Sequence, residues 1–214
     1  MPNLVILSPK ETPSLVYLAK KDKRLSKLFD VVGPISYKPH TNGYSFLVTT
    51  IIGQMLANKV ANALRQRMVT LCHGKITPQH VNKLTNDEIK SIGISSSKVS
   101  YIRLLTNTIL NNKSLLKDLK NMSDEDVLDS LTSLKGIGSW SAKMYLIFVL
   151  DRQNILPYED FAFQQGYMWL YKAKSFSKLT IAKRCQKWKP FTSIAARFLY
   201  RAVDNGLTKT PFHL

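Results

Sequence analysis

Helix start and stop signals recur along this chain at intervals too short to leave much room for strands, and no other feature constrains its fold as strongly. Thr12-Pro13 reads as a cap followed by proline in a first turn, with an apolar-periodic run over 15–21. A second segment, DKRLSKLFDVVG, stops at Gly33. After the loop PISYKPHTNG comes YSFLVTTIIGQMLANKVANALRQRMVTLC, whose interior Gly53 predicts a break near Gln54–Ala57. Thr77-Pro78 opens another helix, and Thr85 with Glu88 forms a capping box. The spacing of Val99, Ile102, Leu105 and Ile109 predicts a helix over about 96–110 with one apolar stripe. Ser123 caps DEDVLDSL, and further helices are expected over about 139–150, 159–172, 181–188 and 191–204. The expectation is an all-α protein of about ten helices, with any small strand confined to the first dozen residues.

Charge points to a partner. Lys and Arg total 31 against 14 Asp and Glu, a net charge of +17. Such an excess favours a polyanion, because each phosphate neutralised releases a condensed counterion. The cations are scattered along the chain, which suits a folded basic face better than a disordered arm. No apolar run reaches the roughly 20 residues of a membrane span, and MPNLVILSPKETP lacks a signal-peptide pattern. An intracellular protein is therefore expected, cytoplasmic and nucleoid-associated if bacterial. Cys72 and Cys185 are too few for a disulfide scaffold or an iron–sulfur cluster and read as small core residues. His40, His73, His80 and His213 show no metal-ligand spacing.

The segment LTSLKGIGSWSAKMYLIFVL pairs a helix closing over 128–134 with a very apolar helix from Ser139 onward. Gly136 and Gly138 permit backbone conformations closed to other residues and clear space for a phosphate. Free N–H groups at Gly136, Ile137 and Gly138 would then meet that phosphate at a helix N-terminus, with Lys143 one turn in. Ile137 would anchor the hairpin in the core. Taken alone, the stretch reads equally well as an ordinary helix–turn–helix corner. Further on, Pro157 breaks the chain and Glu159-Asp160 open the next helix, where N-terminal N–H groups can hold a carboxylate ionised. An arbitrary Asp at such a place would simply be a cap.

The run L-K-G-I-G-S-W-S-A, an apolar helix and then P-Y-E-D resembles the helix-hairpin-helix (HhH-GPD) DNA glycosylase superfamily, and more closely the 3-methyladenine DNA glycosylase II family. The resemblance spans about Tyr44 to Arg201 and includes IIGQMLANKVA, GISSSKVSYIRLL and KWKPFTSIAARFLYR. It implies a two-lobed helical fold without an N-terminal sheet domain. One lobe is expected over about 44–150, ending in the hairpin motif 128–150, and the other over 1–43 with 151–214.

The same resemblance implies Asp160 as the catalytic carboxylate, with Glu159 the nearest competitor. Trp140 stands where bifunctional relatives carry a Schiff-base lysine, which implies a monofunctional enzyme using water, with Lys143 the one nearby lysine. Trp140 and Tyr200 are implied as base-pocket aromatics, with Phe161 and Trp169 as weaker candidates. Met55 is implied as a wedge entering the base stack and Gln54 as a contact to the orphan base or backbone. The carbonyls of Thr132, Leu134 and Ile137 match positions that can hold Na+ or K+ when DNA is bound. No cofactor is required by this chemistry. The implied partner is double-stranded DNA containing a damaged base, bound by a monomer. Thr192 departs from the arginine usual after the aromatic of this motif. A non-catalytic DNA-binding module and a bifunctional glycosylase/lyase for oxidised bases remain as alternatives.

Overall fold

Local caps set most helix ends in this computed structural model, which describes residues 3–175 and 177–213. The elements run β1 (Val5–Leu7), α1 (Pro13–Lys21), α2 (Lys23–Val32), β2 (Ile35–Tyr37), α3 (Gly43–Gly53) and α4 (Asn58–Leu71). There follow α5 (Pro78–Lys83), α6 (Asn86–Ser91), α7 (Ser96–Asn111), α8 (Leu115–Asp118), α9 (Asp124–Thr132) and α10 (Ser139–Phe148). The chain closes with α11 (Phe161–Tyr171), α12 (Lys178–Cys185) and α13 (Thr192–Asp204). Thr77, Ser95 and Ser123 accept from backbone N–H groups of their first turns, and the Thr85–Glu88 capping box is complete. Thr12 precedes α1 as expected, yet its hydroxyl accepts from Ser8 N–H at 2.8 Å instead of capping the helix.

Two features depart from the sequence expectation. A second strand lies inside the presumed loop after Gly33, pairing antiparallel with β1 so that Val5 meets Tyr37 and Leu7 meets Ile35. Three residues paired with three are invisible to periodicity, because their alternation is too short to register. The single turn α8 is likewise absent from the expected set. No helix among the described residues is long and apolar enough to cross a membrane.

The chain divides into two units, Met1–Pro39 with Asp151–Leu214, and His40–Leu150. In the first, Leu15, Leu18, Leu25, Leu28 and Phe29 of the α1–α2 pair pack with Phe163, Tyr167 and Leu170 of α11 and with Trp188 and Phe198. One buried charge organises this core. Asp22 is 4% exposed and caps α2 by accepting from Arg24 N–H at 3.0 Å. Its second oxygen accepts from the Tyr171 hydroxyl, from Trp188 Nε1 at 3.1 Å and from Lys187 Nζ at 2.9 Å. Burial opposes the charge, but these hydrogen bonds overcome it and hold the carboxyl below its ordinary 3.8.

In the second unit, the apolar helix α3 is buried at Leu47, Val48, Ile51 and Ile52, and α10 is buried continuously from Ser141 to Ile147. His40 N–H donates to the Phe148 carbonyl at 2.8 Å, and Asn42 Nδ2 to the Ile76 carbonyl at 3.3 Å. These bonds tie the start of the unit to its middle and end. Cys72 and Cys185 are both free and buried, and desolvation pushes both thiols up.

Asp22→Ala should lower the unfolding free energy by about 3 kcal/mol, because three side-chain donors lose their acceptor inside the core. Because the folded pKa of Asp22 is depressed, its contribution is full above about pH 4 and is lost as pH falls through the folded value. Urea titrations from pH 7 to pH 3 should therefore show the difference between wild type and variant shrinking on the acid side.

Candidate active site and nucleic-acid interface

Between α9 and α10 the chain turns in six residues. The Leu134 N–H donates to the Leu131 carbonyl at 3.1 Å and the Ile137 N–H to the Leu134 carbonyl at 3.0 Å. Ile137 is 4% exposed, so its side chain does anchor the hairpin. Its amide, however, is spent inside the turn and is not among the donors open to a phosphate. Those left are Gly136 and Gly138, whose N–H groups enter no backbone bond among the described residues.

The two glycines serve different purposes. Gly136 has φ +91°, and a Cβ there would run into the Tyr101 ring, 2.6 Å from its Cβ. Its lack of a side chain is thus required by α7 packing as well as by the backbone. Gly138, the N-cap residue of α10, would place a Cβ in open space. This is the open approach that an anion at a helix N-terminus needs. Lys143 does not stand beside it on the surface. It lies in the buried stretch of α10 and is 9% exposed, so it is not displayed at the hairpin surface as the phosphate contact expected of it requires. The cause is the continuous apolar face of α10, which the position of Lys143 shares. Trp140, in the first turn of α10, is half-buried.

The α3–α4 junction breaks where Gly53 predicts. Met55 stands wholly exposed at its tip with a left-handed φ of +58°. That conformation is strained for a residue with a side chain and needs support from its surroundings. Lys98 Nζ supplies it, donating to the Ile52 carbonyl at 2.9 Å and the Gln54 carbonyl at 2.8 Å. Arg65 Nε donates to the Thr49 carbonyl at 3.0 Å. Cations on the last carbonyls of α3 suit the negative end of its dipole. Gln54 does not reach outward as expected. Its amide Nε2 donates to the Gly136 carbonyl at 2.9 Å and to Ser141 Oγ at 3.2 Å. Gln54 therefore braces the Met55 loop against the glycine hairpin, a role that residue spacing could not reveal.

In the other unit, Asp160 is the N-cap of α11, which begins at Phe161. The Asp160 N–H donates to the Pro157 carbonyl at 3.0 Å, and Asp160 Oδ1 accepts from Phe163 N–H at 2.9 Å. The carboxylate is half-buried. Tyr200 of α13 carries a buried hydroxyl that interacts with Asp160. Burial, and after it the Asp160 charge, pushes that phenol well up, so it stays a neutral donor. One turn earlier, Arg197 is 7% exposed. It pairs with Asp151 at 2.9 Å and lies 3.6 Å from the Tyr37 ring centroid. Arg197 thus fixes α13 next to the acid. Phe161 is 77% exposed beside Asp160. Trp169 is turned away into packing against Phe212, with its Nε1 donating to the Thr210 carbonyl at 2.7 Å.

Two helices joined by a glycine turn with open amides define a helix-hairpin-helix protein. The profile described as HhH-GPD superfamily base excision DNA repair protein matches residues 48–191, and the chain belongs to that superfamily. It is similar to DNA-3-methyladenine glycosylase 1 of Schizosaccharomyces pombe, 26% identical over 199 residues covering 89% of this chain and 86% of the relative. Its structure is similar to that of a DNA-3-methyladenine glycosidase from Bacillus halodurans, with a TM-score of 0.82 at 25% identity over 95% of this chain and 94% of the other. The 3-methyladenine DNA glycosylase of S. pombe in complex with abasic DNA matches with a TM-score of 0.80 at 25% identity, over 90% of this chain and 97% of that one.

Gly136→Ala should destabilise the protein by about 2–4 kcal/mol, from the positive φ and the overlap with Tyr101 together. Chemical denaturation would measure it. Gly138→Ala, facing open space, should cost less than about 1 kcal/mol.

Proposed function

We propose that this chain is a monofunctional DNA glycosylase that hydrolyses the N-glycosidic bond of flipped alkylated purines, 3-methyladenine and 7-methylguanine, and leaves an abasic site. The observation that carries the reading is Asp160, a half-buried acid held at a helix N-terminus by Phe163 N–H in a chain of this superfamily. A purely DNA-binding module has no use for a fixed carboxylate. The activities of the relatives, as their names give them, support the same reading, as does the abasic DNA bound to one of them.

In this reading the substrate base leaves the stack before it reacts. N3- and N7-alkylated purines carry a formal positive charge and depart readily without strong acid assistance. As the bond from the sugar C1′ to the base nitrogen breaks, its electron pair goes to the purine and positive charge grows on the deoxyribose. The Asp160 carboxylate stabilises that charge and orients water, whose oxygen bonds to C1′ and whose proton is released. The neutral Tyr200 hydroxyl interacts with that carboxylate. Phe161, exposed beside Asp160, offers an aromatic face to an electron-poor ring, and the family resemblance gives Trp140 the same role. Trp140 also leaves no lysine where an imine would form, which favours water over a lysine nucleophile.

Met55 enters the stack as the base leaves, and Gly136 and Gly138 bind the DNA backbone. The carbonyls of Thr132, Leu134 and Ile137 lie within six residues of one loop, and the Leu134 oxygen keeps a lone pair after accepting from Ile137 N–H. Oxygen donors of this kind suit Na+ or K+ in the DNA-bound state, where the ion would steady the hairpin and take no part in bond cleavage. The enzyme acts inside the cell as a monomer on double-stranded DNA.

Asp160→Asn should release methylated bases at least about 100-fold more slowly while still binding abasic duplex. Chromatography of bases freed from methylated DNA measures this. Full activity of the variant, or a protein–DNA adduct trapped by borohydride, would overturn the proposal. Met55→Ala should slow single-turnover base release about tenfold. An unchanged rate would give the wedge to another residue.

A further inference from the structure

Away from Asp160, the first unit carries a second basic feature. Two adjoining hollows of about 470 Å³ and 800 Å³ share Arg184 and Lys187 as walls. Lys21, Lys23 and Arg24 line the first, and Lys183 lines the second. Six cations therefore border one groove, and Asp22 is the single acid among its described lining residues. That acid is committed to Tyr171, Trp188, Lys187 and the α2 N-terminus. It cannot neutralise the remaining five.

Several of these cations are held in place before any ligand arrives. Arg24 Nη1 donates to the Leu170 carbonyl at 2.7 Å. Arg184 lies 4.6 Å from the Tyr171 ring centroid, and Lys187 is fixed by Asp22 at 2.9 Å. Collecting like charges in one groove is unfavourable on its own, so an anion there is stabilising. The aromatic floor is already covered: Tyr171 has Arg184 over its ring and stacks with Trp188 at 25°. A base would find no ring face on which to stack, whereas a row of phosphates would find a row of cations.

We propose that this groove, formed by the α1–α2 joint with α12, is a second binding site for the phosphodiester backbone of duplex DNA. The inference rests on the glycosylase reading for its duplex partner. Tyr171 ends α11 and Asp160 caps its beginning, eleven residues apart. At 1.5 Å per residue this is about 16 Å, or roughly five phosphate steps along a strand. The groove would therefore engage backbone flanking the lesion, beyond the nucleotide that Asp160 handles.

The test compares two duplexes carrying one central abasic site, of about 8 and about 24 base pairs, in salt titrations of binding. For the wild type, log affinity against log salt should be steeper on the long duplex by about 2–3, at about 0.9 per phosphate neutralised. Lys21→Ala/Lys23→Ala/Arg184→Ala should remove that increment and weaken long-duplex binding about tenfold, with under twofold loss on the short one. Because Arg184 packs on Tyr171, a second variant, Lys21→Gln/Lys23→Gln, changes two exposed side chains alone and should remove about half of the increment. Equal slopes for wild type on both lengths, or variants that keep the full increment, would overturn the inference. So would saturable one-to-one heat from inorganic phosphate, lost in the variants, without any length effect. Base release by the wild type on the short duplex is measured separately: its absence would sink the glycosylase reading, whereas loss of the length effect alone sinks only the groove.

Discussion

A carboxylate next to nucleic acid is repelled by every phosphate around it, and it becomes useful only if it is held in one place. The bond from Phe163 N–H to Asp160 Oδ1 does this, and the chain on either side serves it. Asp160 N–H is itself fixed to the Pro157 carbonyl, so both ends of the residue are constrained. Behind it, α11 is locked by Phe163, Tyr167 and Leu170 in the core, and α13 by the pairing of buried Arg197 with half-buried Asp151. A charge fixed before the reaction costs no reorganisation when the sugar becomes cationic.

The second unit holds a different kind of feature in place. Its open donors are main-chain amides at glycines, and its exposed methionine sits in a strained backbone conformation. Neither would keep its geometry unaided. Lys98 and Arg65 hold the carbonyls at the end of α3, and Gln54 ties that same junction to Gly136. The Met55 loop and the hairpin are thereby parts of one hydrogen-bonded assembly, so a change in either is felt by the other.

What could be read from the residues alone follows from the range of the forces involved. Caps, glycine stops and the break after Gly53 are decided within one helical turn, and α3, α4, α7 and α9 begin or end where those signals stand. Asp160 was legible for the same reason, since its role as N-cap depends on the next three residues. Long-range contacts were not legible. The pairing of β2 with β1, the clash that forbids a side chain at Gly136, the inward turn of Gln54 and the burial of Lys143 all depend on residues distant in sequence. Thr12 shows the limit even locally, because Ser8 N–H competes for its hydroxyl. The Asp22 hub joins positions up to 166 residues apart, and no periodicity announces it.

The central claim is that residue 160 acts through its negative charge on a cationic sugar. Binding of duplex carrying a protonated pyrrolidine in place of the deoxyribose, against the same duplex with a neutral tetrahydrofuran, isolates that interaction. The account predicts that the wild type prefers the cationic analogue by about 100-fold and that Asp160→Asn loses most of this preference. An equal preference in both proteins would contradict it.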